Sequence, residues 1–349
     1  VSAVRQIWIP RAGPPEVLEL REAEDPLPGT GEVRIRVEAA GVNFADVMGR
    51  LGLYPDLPPM PVVPGYEVAG VVDAVGDDLE MDWVGRNVLA MTRFGGYSDV
   101  VCVPEGQAFT RPDKMSALEA AAFPVNYVTA YQLLVVMGGL RAGETILVHS
   151  AGGGVGIAAI QLARGIGARV IGTASAGKHE FLRSLGVEDC IDYTTEDFEA
   201  RTLELTAGRG VELVIDAVGG PSFMKSYRCL APTGRLGMFG MSSIAPGKRR
   251  SLWRVARTLA SLPWWRFNPG ALMDANKGVF GVNVGHLWDE QDRVTRWMED
   301  LLGRVRHPHA EDDVLIAPVV DTSFPLEEAA RAHHYLQDRR NLGKVLLIP

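Results

Sequence analysis

The stretch TILVHSAGGGVGIAAIQLARGIGARVIGTAS, Thr145 to Ser175, constrains this chain more than any other. A short apolar run stops at four glycines between Gly152 and Gly156, an amphipathic run follows, and a second apolar run closes the unit. Strand, glycine turn, helix and strand make a βαβ unit, whose parallel strands are joined by a right-handed crossover. The turn leaves the helix N-terminus, with its unpaired N–H groups and positive dipole end, at the crevice where a pyrophosphate binds. Glycine is needed there because a Cβ would block both the tight turn and the approach of backbone to phosphate. The loop reads Ala151-x-Gly153-x-x-Gly156, and Gly154-x-Gly156-x-x-Ala159 is a second register that also fits. Ala151, Gly153, Gly154, Val155 and Gly156 are therefore the expected dinucleotide contacts.

The second strand of the unit carries no acid at its tip. A carboxylate about 20 residues beyond the loop ordinarily accepts the ribose 2′-hydroxyl of NAD. Here the strand ends GTAS, with Ala174 in that place and Ser175 and Lys178 close behind. A hydroxyl and an ammonium suit a 2′-phosphate, which a carboxylate would repel. The expected cofactor is NADP, in its reduced form NADPH. A solvated lysine at an ordinary helix start is the alternative for Lys178.

The alternation continues downstream, with KHEFLRSLG as a helix and CIDY, VELVIDAVGG, GRLGMFG and KGVFGVN as strands. The expected fold class is α/β, with a Rossmann doubly wound parallel sheet. Before about residue 125 the texture differs. EVRIRVEAAGVN, YEVAGVVDAVG and GRNVLAM are closely spaced strands broken by Pro and Gly, which suggests a β-rich domain. A length of 349 residues exceeds what one core usually holds, so two domains are expected. A net charge of -8 gives no electrostatic reason to bind nucleic acid. No apolar run approaches the roughly 20 residues of a spanning helix. Three scattered cysteines suggest neither a disulfide framework nor a thiolate metal site. VRQIWIPRAG reads as a strand and turn, not a targeting signal, and a cytoplasmic location is expected.

Seven segments in order carry a family resemblance: AAGVNFADVMGRLGLYP, VPGYEVAGVV, FGGYSDVVCVP, PVNYVTAY, HSAGGGVGIAAIQLA, VIDAVGG and NLGKVLLIP. Along nearly its whole length the chain resembles the zinc-independent medium-chain dehydrogenases/reductases of the quinone oxidoreductase (zeta-crystallin) family. ANKGVFGVNVGHLW resembles the vesicle-amine-transport-protein-like branch. The resemblance implies a GroES-like domain from residues 1–125 and 286–349. It implies a Rossmann domain from 126–285, with an inserted segment at about 242–275. It further implies that Ser175, Lys178, Tyr193 and Arg339 surround the NADP 2′-phosphate. Thr129 would lie beside the nicotinamide, and Val218 and Gly240 on loops along the cofactor. A homodimer joined through sheet edges is implied as well, with KGVFGVN as the edge.

Zinc-using members of the same superfamily have GHE where this chain has Gly65-Tyr66-Glu67, and a Cys where it has Asn43. Zinc needs three protein ligands, usually His, Cys or carboxylate. Tyr and Asn do not supply them, and Asp82 to Gly95 contains no Cys for a structural zinc lobe. His307 and His309 have ligand-like spacing but lie in a polar stretch and read as surface. The expected enzyme is metal-free. Its acceptor must then be electrophilic already, as a quinone or an α,β-unsaturated carbonyl (enone) is. By resemblance to the family's N…D…Y cluster, Asn43 and Tyr54 are expected to donate to the acceptor oxygen. Asp46 would orient the cleft, or only cap a turn or helix.

Two other functions stay open: a polyketide-type enoyl reductase, and a cofactor-binding, lipid- or membrane-associated protein with little turnover. The second arises from residues 241–274, where Lys248, Arg249, Arg250, Arg254 and Arg257 cluster with Trp253, Trp264 and Trp265. Such a mixture over 248–267 suits a peripheral membrane contact, a lid over an apolar pocket, or a packed helix.

Overall fold

In the computed structural model, which describes residues 3–244, 256, 267–305 and 316–349, the apolar runs flanking the glycine cluster lie inside a six-stranded sheet. The strand order is Asp189–Asp192, Arg169–Ala174, Thr145–Val148, Val211–Asp216, Leu230–Met238, Gly278–Gly281. Every pairing is parallel. From Thr145–Val148 the chain steps outward to Asp189–Asp192, then returns to Val211–Asp216 on the other side. This is the doubly wound order, and its switch point lies at the C-terminal ends of those two central strands. Thr145–Val148 and Arg169–Ala174 are almost wholly buried, which is why both read as continuous apolar runs. The helix Gly154–Ile166 joins them and stops at Gly167, whose φ of 85° favours a residue without a Cβ.

A second sheet has seven strands. Its order is Val320–Pro325, Lys344–Ile348, Glu32–Val42, Glu67–Val75, Asn87–Met91, Ala108–Thr110, with Val100–Pro104 also on Glu32–Val42. Glu32–Val42 alternates buried and open residues over its first half, as a half-covered strand should. Glu32–Val42 shifts register twice against Glu67–Val75, and on its other side its two ends take different partners, Val100–Pro104 at one and Lys344–Ile348 at the other. The last strand of the chain therefore completes a sheet begun near its start. Helix Pro124–Tyr131 bridges to the parallel sheet, where the Tyr127 hydroxyl donates to Gln161 Oε1 at 2.7 Å.

Of the insertion, the turn Ser242–Ile244 and the helix Pro269–Ala275 are described. Its basic and tryptophan cluster lies outside the described residues, as do His307 and His309. Among the described residues no helix is long and apolar enough to cross a membrane.

Candidate functional site

The glycine loop owes its shape to backbone crowding. Ser150 takes a left-handed turn (φ 53°) off the strand, and the Gly153 N–H donates to its carbonyl at 2.9 Å. Gly153 then precedes the first helical residue, Gly154. A Cβ on Gly156 would stand 2.5 Å from the Ser150 carbonyl oxygen and 2.7 Å from that of Ala151. Gly156 is thus the close-packing position and Gly153 the N-cap, an arrangement that matches the Ala151-x-Gly153-x-x-Gly156 register. Gly154 faces the Asn126 side chain, 2.4 Å from where its Cβ would be. The Gly152 carbonyl accepts the Gly343 N–H at 2.9 Å, so the C-terminal segment is laced to this loop.

The same segment meets the tip of Arg169–Ala174. Lys178 Nζ donates to the carbonyl oxygens of Arg339, at 3.0 Å, and Asn341. Burial lowers the Lys178 pKa; Asp321 opposes this and the Arg339 charge adds to it. Lys178 lies three residues beyond Ser175, and the Arg339 charge, 161 positions further along the chain, is near enough to bear on its ionisation. Asp192 lies level with Ala174 on the neighbouring strand, but its Oδ1 accepts the Thr194 N–H at 3.0 Å and hydroxyl at 2.6 Å. The next residue, Tyr193, is exposed.

Asp216 fixes the loop that carries Val218. One of its oxygens accepts the N–H groups of Val218 (2.7 Å) and Gly219 (3.2 Å), the other the hydroxyls of Ser222 and Ser226, both at 2.7 Å. Buried His149 sits behind, with Nε2 3.0 Å from Ser226 Oγ and Nδ1 3.1 Å from Thr173 Oγ1. Gly240 packs on this loop, where a Cβ would come within 2.9 Å of the Ala217 carbonyl oxygen. Thr129 is buried on helix Pro124–Tyr131. The Asp216 network was not anticipated from sequence. Its only signal is an acid ending the otherwise apolar run VELVID.

Asn43 starts the helix Phe44–Arg50. Its N–H donates to Asp46 at 2.8 Å and its Nδ2 to Glu67 Oε1 at 2.9 Å, while its Oδ1 accepts from Lys344 Nζ at 2.7 Å. Lys344 also pairs with Glu67, whose second oxygen accepts the Val125 N–H at 2.8 Å. The Asn43 amide thus already has protein partners on both its oxygen and its nitrogen. Asp46 is fully buried and accepts from the N–H groups of Asn43 and Gly65 (3.0 Å) and the Tyr97 hydroxyl (3.1 Å). Burial pushes its carboxyl up to about 7. Its contacts cap the helix and hold the turn at Gly65.

Tyr54 reaches the opposite sheet's loop, its hydroxyl 3.5 Å from Asn283 Oδ1, while His286 Nε2 lies 2.7 Å from Asp56 Oδ2. The Tyr66 ring stands edge-on to Tyr54, centroids 6.0 Å apart, and tilted on Phe94 at 5.3 Å. Burial raises the pKa of both phenols, so each keeps its proton to donate. This donor set does not fit zinc: an amide held by two partners, a protonated phenol, and a carboxylate paired with Lys344. Among the described residues, no group of three His, Cys, Asp or Glu could hold a metal ion.

Two family models match the chain: an alcohol dehydrogenase GroES-like domain over residues 29–113 and a zinc-binding dehydrogenase over 154–300. The synaptic vesicle membrane protein VAT-1 homolog of Rattus norvegicus is 43% identical over 336 residues, 95% of this chain and 80% of that protein. A quinone oxidoreductase of Pseudomonas aeruginosa is 36% identical over 350 residues, 99% of each. The chain belongs to the quinone oxidoreductase family of medium-chain dehydrogenases/reductases. A solved structure of the Escherichia coli quinone oxidoreductase, complexed with NADPH, matches at a TM-score of 0.81 and 30% identity, covering 99% of this chain and 100% of that one. The zinc for which the second family model is named finds no ligand set among the described residues of this chain.

Proposed function

We propose that this oxidoreductase uses NADPH to reduce quinones or α,β-unsaturated carbonyl compounds, without zinc. The observation that carries the reading is the Lys178–Arg339 contact at a strand tip that ends in Ala174 and Ser175. A phosphate there meets cationic and hydroxyl groups, where an unmodified ribose would find no carboxylate on the tip of the strand that ends in Ala174 and Ser175. The bound NADPH of the Escherichia coli quinone oxidoreductase supports the same assignment.

The loop from Ala151 through Gly153, Gly154, Val155 and Gly156 would hold the pyrophosphate at the helix N-terminus. Ser175, Lys178, Tyr193 and Arg339 would hold the 2′-phosphate. Val218 and Gly240, on loops braced by Asp216, would line the cofactor towards Thr129. Bound NADPH supplies a hydride. Tyr54 donates a hydrogen bond where charge collects on the acceptor oxygen. Asp46 positions the helix that carries the cleft, and Asn43 ties that helix to Glu67 and Lys344. With only neutral donors to polarise it, the acceptor has to be an activated one.

The test pairs nucleotide titration with an acceptor panel. Tighter binding of NADPH than NADH, with turnover of a quinone or enone that survives dialysis against a chelator, is the expected result. Preference for NADH, or turnover confined to enoyl thioesters, would overturn it. We also propose a homodimer through Gly278–Gly281, which ends the parallel sheet. A monomer by sedimentation at assay concentrations would contradict this.

A further inference from the structure

Tyr66 presents a buried hydroxyl with no hydrogen-bond partner among the described residues. The residue is 7% exposed. The Tyr54 phenol approaches closely enough to bear on its ionisation, but not in hydrogen-bond geometry. An unmatched buried donor costs about 1–3 kcal/mol, and this one is set apart from the others by standing beside Tyr54.

Everything else at this position is pinned. Gly65 donates its N–H to Asp46, and at a φ of 106° its Cβ would lie 2.7 Å from Tyr97. The Tyr66 carbonyl accepts the Thr92 N–H at 2.8 Å, and the Thr92 hydroxyl donates to the Gly65 carbonyl at 2.8 Å. Glu67, next along, is locked to Lys344. The backbone is fixed on both sides, the ring is wedged between Tyr54 and Phe94, and only the hydroxyl is left over. It stands one residue before the Glu67–Lys344 pair and beside the phenol already assigned to the acceptor.

We propose that the Tyr66 hydroxyl is a second hydrogen-bond donor to the oxygen of the hydride acceptor. The inference rests on the reductase reading above and names a residue that reading does not use. The acceptor carbon gains a hydride, two electrons and one hydrogen, and NADPH leaves as NADP+. Negative charge moves to the acceptor oxygen, and water supplies the proton that completes the product. Tyr66 keeps its own proton throughout; its hydrogen bond strengthens as the charge builds. Two neutral phenols replace a Lewis acid at the polarising position, which restricts the enzyme to acceptors that delocalise the incoming charge.

Tyr66→Phe tests this, because it removes the oxygen and keeps the ring. The expected result is a fall in kcat/KM of roughly a hundredfold for acceptors the wild type reduces, the scale on which one such donor acts. The NADPH dissociation constant should not change, and Tm should stay level or rise as the unmatched group disappears. A kcat/KM within about twofold of wild type for every acceptor would overturn the inference and leave the reductase reading standing. A wild type that reduces no quinone or enone would overturn both.

Discussion

Lys344 and Glu67 form an ion pair inside the protein, with side chains 3% and 0% exposed and 277 positions between them in sequence. The pair also anchors Asn43 and the Val125 N–H, so one buried contact ties the last strand to the helices Phe44–Arg50 and Pro124–Tyr131.

Removing one member leaves the other charged and unmatched. Lys344→Met is expected to lower the unfolding free energy by about 3–5 kcal/mol. Adding Glu67→Gln should restore part of that loss. Urea melts of both single variants and the double variant check the coupling. A single Lys344→Met variant as stable as wild type would show that the buried pair adds nothing to stability.

Arg339 is exposed, and only its carbonyl is engaged by Lys178, so its guanidinium can be removed cleanly. Arg339→Ala should weaken NADPH about tenfold or more and leave NADH within about twofold, as loss of one charge-assisted bond predicts. Fluorescence titration of both nucleotides is the readout. Equal weakening of the two would place Arg339 away from the 2′-phosphate.

Asp46 gives stability a definite slope. Its carboxyl rises from an ordinary 3.8 to about 7 through burial, so the folded state holds its proton more tightly than the unfolded chain. That contribution is complete below about pH 4 and is lost as pH rises through 7. Buried His149 and His333, whose pKa values burial lowers, act in the opposite sense: their contribution is present above the ordinary histidine value and lost on acidification. The wild-type curve therefore mixes the two. The difference between wild type and Asp46→Asn isolates the carboxyl, and the variant should lose the decline between pH 4 and 7. Parallel stability curves would show that Asp46 titrates normally.

Gly156→Ala would set a methyl 2.5 Å from a backbone oxygen, which cannot rotate away. It should cost about 1–3 kcal/mol and reduce dinucleotide binding. Gly177→Ala, where nothing lies within 4 Å, should be neutral or stabilise by up to about 1 kcal/mol. Tm and NADPH titration separate the two. Equal behaviour would mean that the loop tolerates a Cβ at Gly156.

The α/β class was legible because strands such as TILV and RVIGTA are apolar over their full length, a property of local sequence. Asn43 was expected from sequence to donate to the acceptor oxygen, and its hydrogen-bond partners within the protein could not be seen there. They come from positions 67 and 344, on two strands brought together because each pairs with the end of Glu32–Val42. A lone lysine in the apolar run KVLLIP was the available signal for the ion pair. Tyr66 showed in sequence only as a missing histidine. The stretch Gly65–Glu67 that carries its hydroxyl is held by Asp46, Thr92 and Lys344, which lie far apart in sequence.

By itself the sequence determined the strand–glycine–helix unit and the acid-free strand tip, since periodicity, turn chemistry and the absence of a carboxylate are all readable within thirty or so neighbouring residues. Tertiary structure alone decided which buried polar group found a partner and which, like the Tyr66 hydroxyl, did not. A charge or hydroxyl removed from water is matched by whatever the packed strands bring within about 3 Å, and that depends on contacts spanning the whole chain.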